Sequence, residues 1–184
     1  DRLRYSDISW FDEIHFIEDY FAFDDTVLPI PSKTNALKGI DKASQILLGR
    51  KANRFDKGVA LRVLIHVIPD IHQPLHTISL VSKSRPEGDK GGNLYELGQN
   101  HVSNNLHGFW DKGGGFLMFE RKPTQKEIIA MAQTLENEYP CTTFELNGTP
   151  LDWVIESRQI AKEFAYHTRL GGVPSAEYTE REKH

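Results

Sequence analysis

The chain has 184 residues, 39% hydrophobic and 26% charged, a length and balance that suit one globular domain and exclude a disordered or fibrous chain. Its formal net charge of -4 gives no basic excess for counterion-release binding to duplex DNA, so metals would have to supply much of the positive charge in any handling of nucleic acid. No run of about 18 apolar residues exists, which excludes a membrane-spanning helix, and the single cysteine, Cys141, excludes an intrachain disulfide.

Taken in chain order, the periodic segments read almost entirely as helices. Ser9 to Tyr20 places Trp10, Ile14 and Ile17 on one stripe. Phe23 to Ser32 holds two prolines and two adjacent aspartates and reads as a loop. A second helix spans Thr34 to Leu48, with Leu37, Ile40, Ala43 and Leu47 at helical spacing and Gly49 as its stop. A third starts near Asp56 and carries Val59, Val63, Ile65, His66 and Asp70. Pro69 inside it predicts a kink, because the ring removes a donor and crowds the carbonyl four residues back; Pro74 is a second break. Ser79 to Asn104 is polar and glycine-rich, a long loop of the kind that is functional or mobile. Helices over Thr124 to Tyr139 and Leu151 to His167 follow, the second keeping its period through Trp153, Ile160, Phe164 and His167. The polar tail after Gly171 reads as frayed. Strand alternation is nearly absent, so the fold class is all-α.

The chemistry concentrates between His66 and Asp111. The segment His66-Val67-Ile68-Pro69-Asp70-Ile71-His72-Gln73-Pro74-Leu75-His76 is followed by Asn105-Leu106-His107-Gly108-Phe109-Trp110-Asp111. Both contain His-x-x-x-Asp, and residues i and i+4 stand one above the other on a helix. A neutral imidazole and a carboxylate so stacked form half a zinc shell. One such pair is more often a core histidine bonded to an acid. Two pairs with further histidines between them point to more than one metal.

These residues resemble the zinc-dependent single-strand nucleases and 3'-nucleotidases, which share an all-helical fold with the bacterial zinc phospholipases C. The family pattern runs His-Phe-x-Gly-Asp-x-His-Gln-Pro-Leu-His, then Asp-Arg-Gly-Gly-Asn, then Asn-Leu-His-x-x-Trp-Asp. Here it is met by His66 to His76, by Asp89-Lys90-Gly91-Gly92-Asn93 and by Asn105 to Asp111, with Pro69 in place of the usual glycine. Asp1 to Ile17 and Trp153-x-x-Glu156-Ser157 also fit, so the likeness covers most of the chain as one nuclease domain over residues 1–184.

By position, the resemblance implies Asp1, His15, His66 and Asp70 on one zinc and His76, His107 and Asp111 on a second. A third zinc in the family reuses the carboxylate that corresponds to Asp70, with an amino-terminal tryptophan and a nearby histidine. Neither precedes Asp1, and the family's last helix is not recognisable, so the expectation is a chain truncated at both ends with an incomplete third site. Arg4 is the implied phosphate clamp, since a guanidinium matches phosphate with two parallel hydrogen bonds. Phe16 resembles the aromatic on which the family stacks a base, and Asn93 is the third candidate substrate contact. Asp70 and Arg4 are thus the catalytic candidates.

The expected activity is hydrolysis of single-stranded DNA or RNA to 5'-phosphorylated products, with 3'-nucleotidase activity. Two zincs can hold one hydroxide as nucleophile while clamping the phosphate. The resemblance also implies secretion or a periplasmic location, without stable membrane association. Two alternatives stand beside it: a zinc phospholipase C on the same scaffold, and a non-catalytic metal-binding fragment. Asp-Lys-Gly-Gly-Asn and Phe16 favour the nuclease. His72 falls off the His66/Asp70 face and reads as support that orients a ligand carboxylate. Asp12 reads as a core-edge or capping residue, and His101, His167 and His184 as ordinary histidines.

Overall fold

The computed structural model describes residues 9–140 and 148–166. Asp1, Arg4, Cys141, His167 and His184 lie outside the described residues. The helices are α1 (Ser9–Glu13), α2 (Ala36–Leu48), α3 (Arg54–His72), α4 (Leu106–Asp111), α5 (Gln125–Glu138) and α6 (Pro150–Ile160). The last continues into a wider π-type turn over Ala161–Ala165.

Local chemistry starts these helices. The Asn35 side chain accepts the Lys38 amide at the head of α2, and Asn53 accepts the Asp56 amide at the head of α3. Thr124 with Glu127 and Thr149 with Asp152 form reciprocal capping boxes on α5 and α6, and Pro150 occupies the first turn of α6, where its missing amide costs nothing.

Two apolar clusters hold the body together. In one, Ile40 and Ala43 of α2 pack with Val63, Val67 and Ile71 of α3, joined by Ile14 and Val154. In the other, Leu75, Ile78, Leu106 and Phe109 pack against Ala161, Ala165 and Tyr166. The expected stripe of α2 is borne out, with Leu37 and Leu47 at its partly buried margin.

Three segments differ from the sequence expectation. The first helix stops at Glu13 instead of running to Tyr20. Tertiary bonds take over: the Ile17 amide donates to the His76 carbonyl at 2.7 Å, and the Phe16 carbonyl accepts the Ala36 amide at 3.0 Å. Ile14 and Ile17 are buried all the same. Tyr20–Phe21 then forms β1, paired in parallel with β2 (Ser79–Leu80), Tyr20 opposite Ser79 and Phe21 opposite Leu80. The crossover between them is α2 and α3, so this two-residue ladder ties the start of the fold to the segment after His76. The long loop after Ser79 therefore begins with a strand and carries two isolated bridges, Ser82 with Arg85 and Glu96 with Asn105.

The other differences concern faces. On α3 the buried residues are Ala60, Val63, Val67 and Ile71, and Ile65 is exposed. The helix passes through Pro69 and ends at His72, and Pro74 opens a 3-10 turn, Pro74–His76. On α6 and its extension, Val154, Ser157, Ala161 and Ala165 face inward while Phe164 is exposed. Small side chains let the helix come close: Ser157 Oγ donates to the Ile71 carbonyl at 2.8 Å. A stripe counted on large apolar residues misses such a face.

Candidate metal centre

The fold gathers six of the sequence candidates into two adjacent groups, His15 with His66 and Asp70, and His76 with His107 and Asp111. His66 and Asp70 stand four apart on α3 and His107 and Asp111 four apart on α4, as helical geometry requires. His15 comes from the bend after α1, and His76 ends the 3-10 turn.

In the first group Asp70 Oδ2 lies 3.2 Å from His66 Nε2 and 3.3 Å from His15 Nδ1, and those two nitrogens are 2.8 Å apart. In the second, Asp111 Oδ2 is 3.6 Å from His107 Nε2 and Asp111 Oδ1 is 3.8 Å from His76 Nε2. The His76 and His107 rings stack at 4.9 Å. Two zinc ligands at about 2.0–2.1 Å in a tetrahedral shell are separated by about 3.3 Å. Both sets of spacings lie near that edge, and imidazole nitrogen with carboxylate oxygen is a donor set zinc accepts, so the residues present fit the ion.

The ring orientations are set from behind. His76 Nδ1 donates to the His15 carbonyl at 3.0 Å and His107 Nδ1 to the Gly91 carbonyl at 2.7 Å. With each Nδ1 holding the proton, both Nε2 lone pairs point toward Asp111, the usual arrangement behind a metal-bound histidine. Gln73 Nε2 donates to Asp111 Oδ1 at 2.8 Å, while its Oε1 accepts the Leu75 amide and caps the turn that carries His76. Gln73 is the residue whose part sequence reasoning missed; its place in His-Gln-Pro-Leu-His was the available signal. His72 does not orient a ligand carboxylate. Its Nδ1 bonds the Ile68 carbonyl at 2.7 Å and its ring lies against Trp153.

Charge follows the geometry. Burial alone draws the His76 pKa down, but the neighbouring Asp111 carboxylate, the hydrogen bond to the His15 carbonyl and the charge of Asp70 outweigh it and raise the value. Burial pushes Asp111 up, and the nearby His76 and His107 imidazoles with the hydrogen bond from Gln73 lower it below its ordinary value.

A cleft of about 460 Å³ opens beside the second group, its lining including His76, His107, Phe16, Glu18, Lys90 and Asn93. Phe16 is 39% exposed and so presents ring surface to it. Asn93 Nδ2 donates to the Lys90 carbonyl at 2.9 Å and holds the turn closed at the rim. A second hollow of about 400 Å³, walled by Phe11, Ile14, Val63 and Val67, borders His15 and His66. Asp12 is an exposed residue of α1 outside both groups.

The S1/P1 Nuclease family model matches residues 1–184. Among named relatives, Endonuclease 5 of Arabidopsis thaliana is 36% identical over 149 residues, covering 76% of this chain and 46% of that protein. Endonuclease 4 of the same plant is 31% identical over 123 residues, covering 61% of this chain and 39% of that protein. The chain thus matches less than half the length of these two relatives. With the family model running from end to end over the motifs that build both groups, the chain belongs to the S1/P1 nuclease family.

Proposed function

We propose that this chain carries the zinc centre of a phosphodiesterase that hydrolyses single-stranded DNA or RNA to 5'-phosphorylated products, with 3'-nucleotidase activity. The observation that carries the reading is the pair of His-His-Asp groups, the second of them opening on a cleft, in a member of a nuclease family. Zinc held there would act as a Lewis acid on a phosphoryl oxygen and make bound water a nucleophile near neutral pH.

The chain's own residues do the rest. His15, His66 and Asp70 hold one ion, and His76, His107 and Asp111 hold the other. Asp1 as a further ligand of the first ion and Arg4 as the phosphate clamp are carried over from the family resemblance. Phe16 offers a ring face on which a base of any identity can stack, which suits a strand whose bases are already unpaired. Asn93 meets the sugar-phosphate, and the Lys90 ammonium adds positive charge to the cleft. Secretion or a periplasmic location belongs to the same proposal, and no described helix is long and apolar enough to cross a membrane.

The test loads the purified protein with zinc and offers it single-stranded DNA, duplex DNA, a 3'-nucleotide and phosphatidylcholine vesicles. Cleavage of the single strand and the 3'-nucleotide, with 5'-phosphate ends and loss of activity on chelation, is expected. Release of phosphocholine alone would assign the scaffold to phospholipase chemistry. Bound zinc without turnover on any of the four would make it a non-catalytic metal-binding fragment.

A further inference from the structure

We infer that the buried Tyr166–Asp89 pair is a positioning device for His107, acting through the backbone of the turn at 90–92. The functional meaning rests on the proposal that His107 is a metal ligand; the structural coupling does not.

Tyr166 lies just past the π-type turn that ends α6 and is 1% exposed; Asp89 is 2% exposed. Tyr166 Oη is 3.1 Å from Asp89 Oδ1 and 3.0 Å from Oδ2, so the one phenolic proton is shared across the carboxylate. The Leu80 amide donates to Asp89 Oδ1 at 3.0 Å and the Gly92 amide donates to the same carboxylate. Both side chains are almost fully buried, so each donor constrains where the carboxylate can sit.

What the carboxylate holds is the turn. Lys90, Gly91 and Gly92 all have positive φ, at 57°, 60° and 81°. A side chain at Gly91 would drive its Cβ into the Leu75 carbonyl oxygen. The Gly91 amide is tied to Ser79 Oγ at 2.8 Å. Held this way, the two glycine carbonyls both face His107: Gly91 accepts Nδ1 at 2.7 Å and Gly92 accepts the backbone amide at 3.2 Å. The Gly91 contact selects the Nδ1–H tautomer and leaves the Nε2 lone pair toward Asp111. Tyr166 therefore acts on His107 from 59 positions along the chain without touching it.

The experiment compares the wild-type protein with Tyr166→Phe by nitrogen-15 NMR of the histidine side chains, first metal-free and then during zinc titration. The wild-type His107 ring is expected as the Nδ1–H form with a slowly exchanging proton. In Tyr166→Phe the two ring nitrogens should move toward averaged values, and zinc affinity of the second group should fall about tenfold, the lower end for loss of a residue behind a metal ligand. In a His107→Ala background, Tyr166→Phe should leave the remaining zinc affinity unchanged, which a general loss of packing would not do.

Unchanged His107 nitrogens in Tyr166→Phe would overturn the inference. So would an equal loss of zinc affinity with and without His107. If Tyr166→Phe does not fold, the wild-type spectrum still decides, because an Nε2–H His107 ring overturns the coupling. Absence of zinc binding in the wild type would instead overturn the zinc reading and leave the tautomer result standing.

Discussion

Asp70 Oδ1 lies 3.9 Å from His76 Nδ1 while Asp70 Oδ2 serves His15 and His66, so one carboxylate stands at the seam of the two candidate metal groups. Asp70→Asn keeps the shape and removes the charge from that seam. Both metals should bind more weakly, and cleavage of single-stranded DNA should fall at least about 100- to 1000-fold, the scale of losing one preorganised electrostatic group. Helical circular dichroism should not change. Near-normal turnover with zinc retained would move the reaction elsewhere.

Gln73 separates the two groups experimentally. Gln73→Ala removes the donor to Asp111 and the cap on the Leu75 amide, leaving His15, His66 and Asp70 untouched. Zinc affinity should fall about tenfold or more at the second group only. A biphasic chelator titration reads this directly: one phase moves and the other stays. Equal movement of both phases would show that Gln73 supports the fold as a whole.

Phe16 is expected to act on substrate and not on metal. Phe16→Ala should raise KM for single-stranded DNA by the equivalent of about 1–3 kcal/mol, the range measured for one base on one aromatic ring. Zinc content should stay the same. An unchanged KM would return Phe16 to a packing role at the cleft wall.

How much of this was legible before the structure depends on what each contact is made of. His66 with Asp70 and His107 with Asp111 were readable because helical period alone stacks residues four apart. His15 was reachable only through the family resemblance: the helix expected to carry it ends at Glu13, and a backbone bond from Ile17 to His76 brings it into place. Asp89-Lys90-Gly91-Gly92-Asn93 was readable as a tight turn. Its contribution to the site is two glycine carbonyls and a buried carboxylate facing Tyr166, and a carbonyl has no letter in the sequence. On α6 the inward face is Val154, Ser157, Ala161 and Ala165. Close approach of helices favours small residues, which an apolar stripe overlooks.

Gly91→Ala tests the turn. The new Cβ would clash with the Leu75 carbonyl oxygen, and φ of 60° is costly for any residue with a side chain. Destabilisation of about 1–3 kcal/mol is expected from the backbone alone, with the steric clash adding to it. Because the Gly91 carbonyl must shift to relieve the contact, zinc affinity at the second group should drop even where the variant remains folded. A thermal melt combined with a zinc titration checks both. A stable Gly91→Ala protein with wild-type affinity would mean that the turn can open without disturbing His107.

The last prediction concerns pH, and its sign follows from His76 and Asp111. In the metal-free protein the His76 pKa is raised from 6.5, because contacts with Asp111, the His15 carbonyl and Asp70 outweigh the opposing effect of burial. The stability it contributes is therefore complete below 6.5 and is lost as pH rises through its folded value. Asp111 is lowered from 3.8 against the effect of burial, so its contribution is complete above 3.8 and is lost as pH falls through its folded value. The pair thus stabilises the metal-free protein most between 3.8 and 6.5. Zinc reverses the upper limb, because it needs the His76 nitrogen without a proton and binds more tightly as pH rises. The gain in Tm on adding zinc should consequently grow between about pH 5 and 8, where histidine exchanges a proton for a metal. Calorimetry with chelator and with zinc across that range measures both curves, and His76→Asn, which does not titrate, should flatten the alkaline fall of the metal-free one. A metal-free Tm that keeps climbing above pH 6.5, or a zinc increment independent of pH, would show that His76 and Asp111 do not form the charged pair described here.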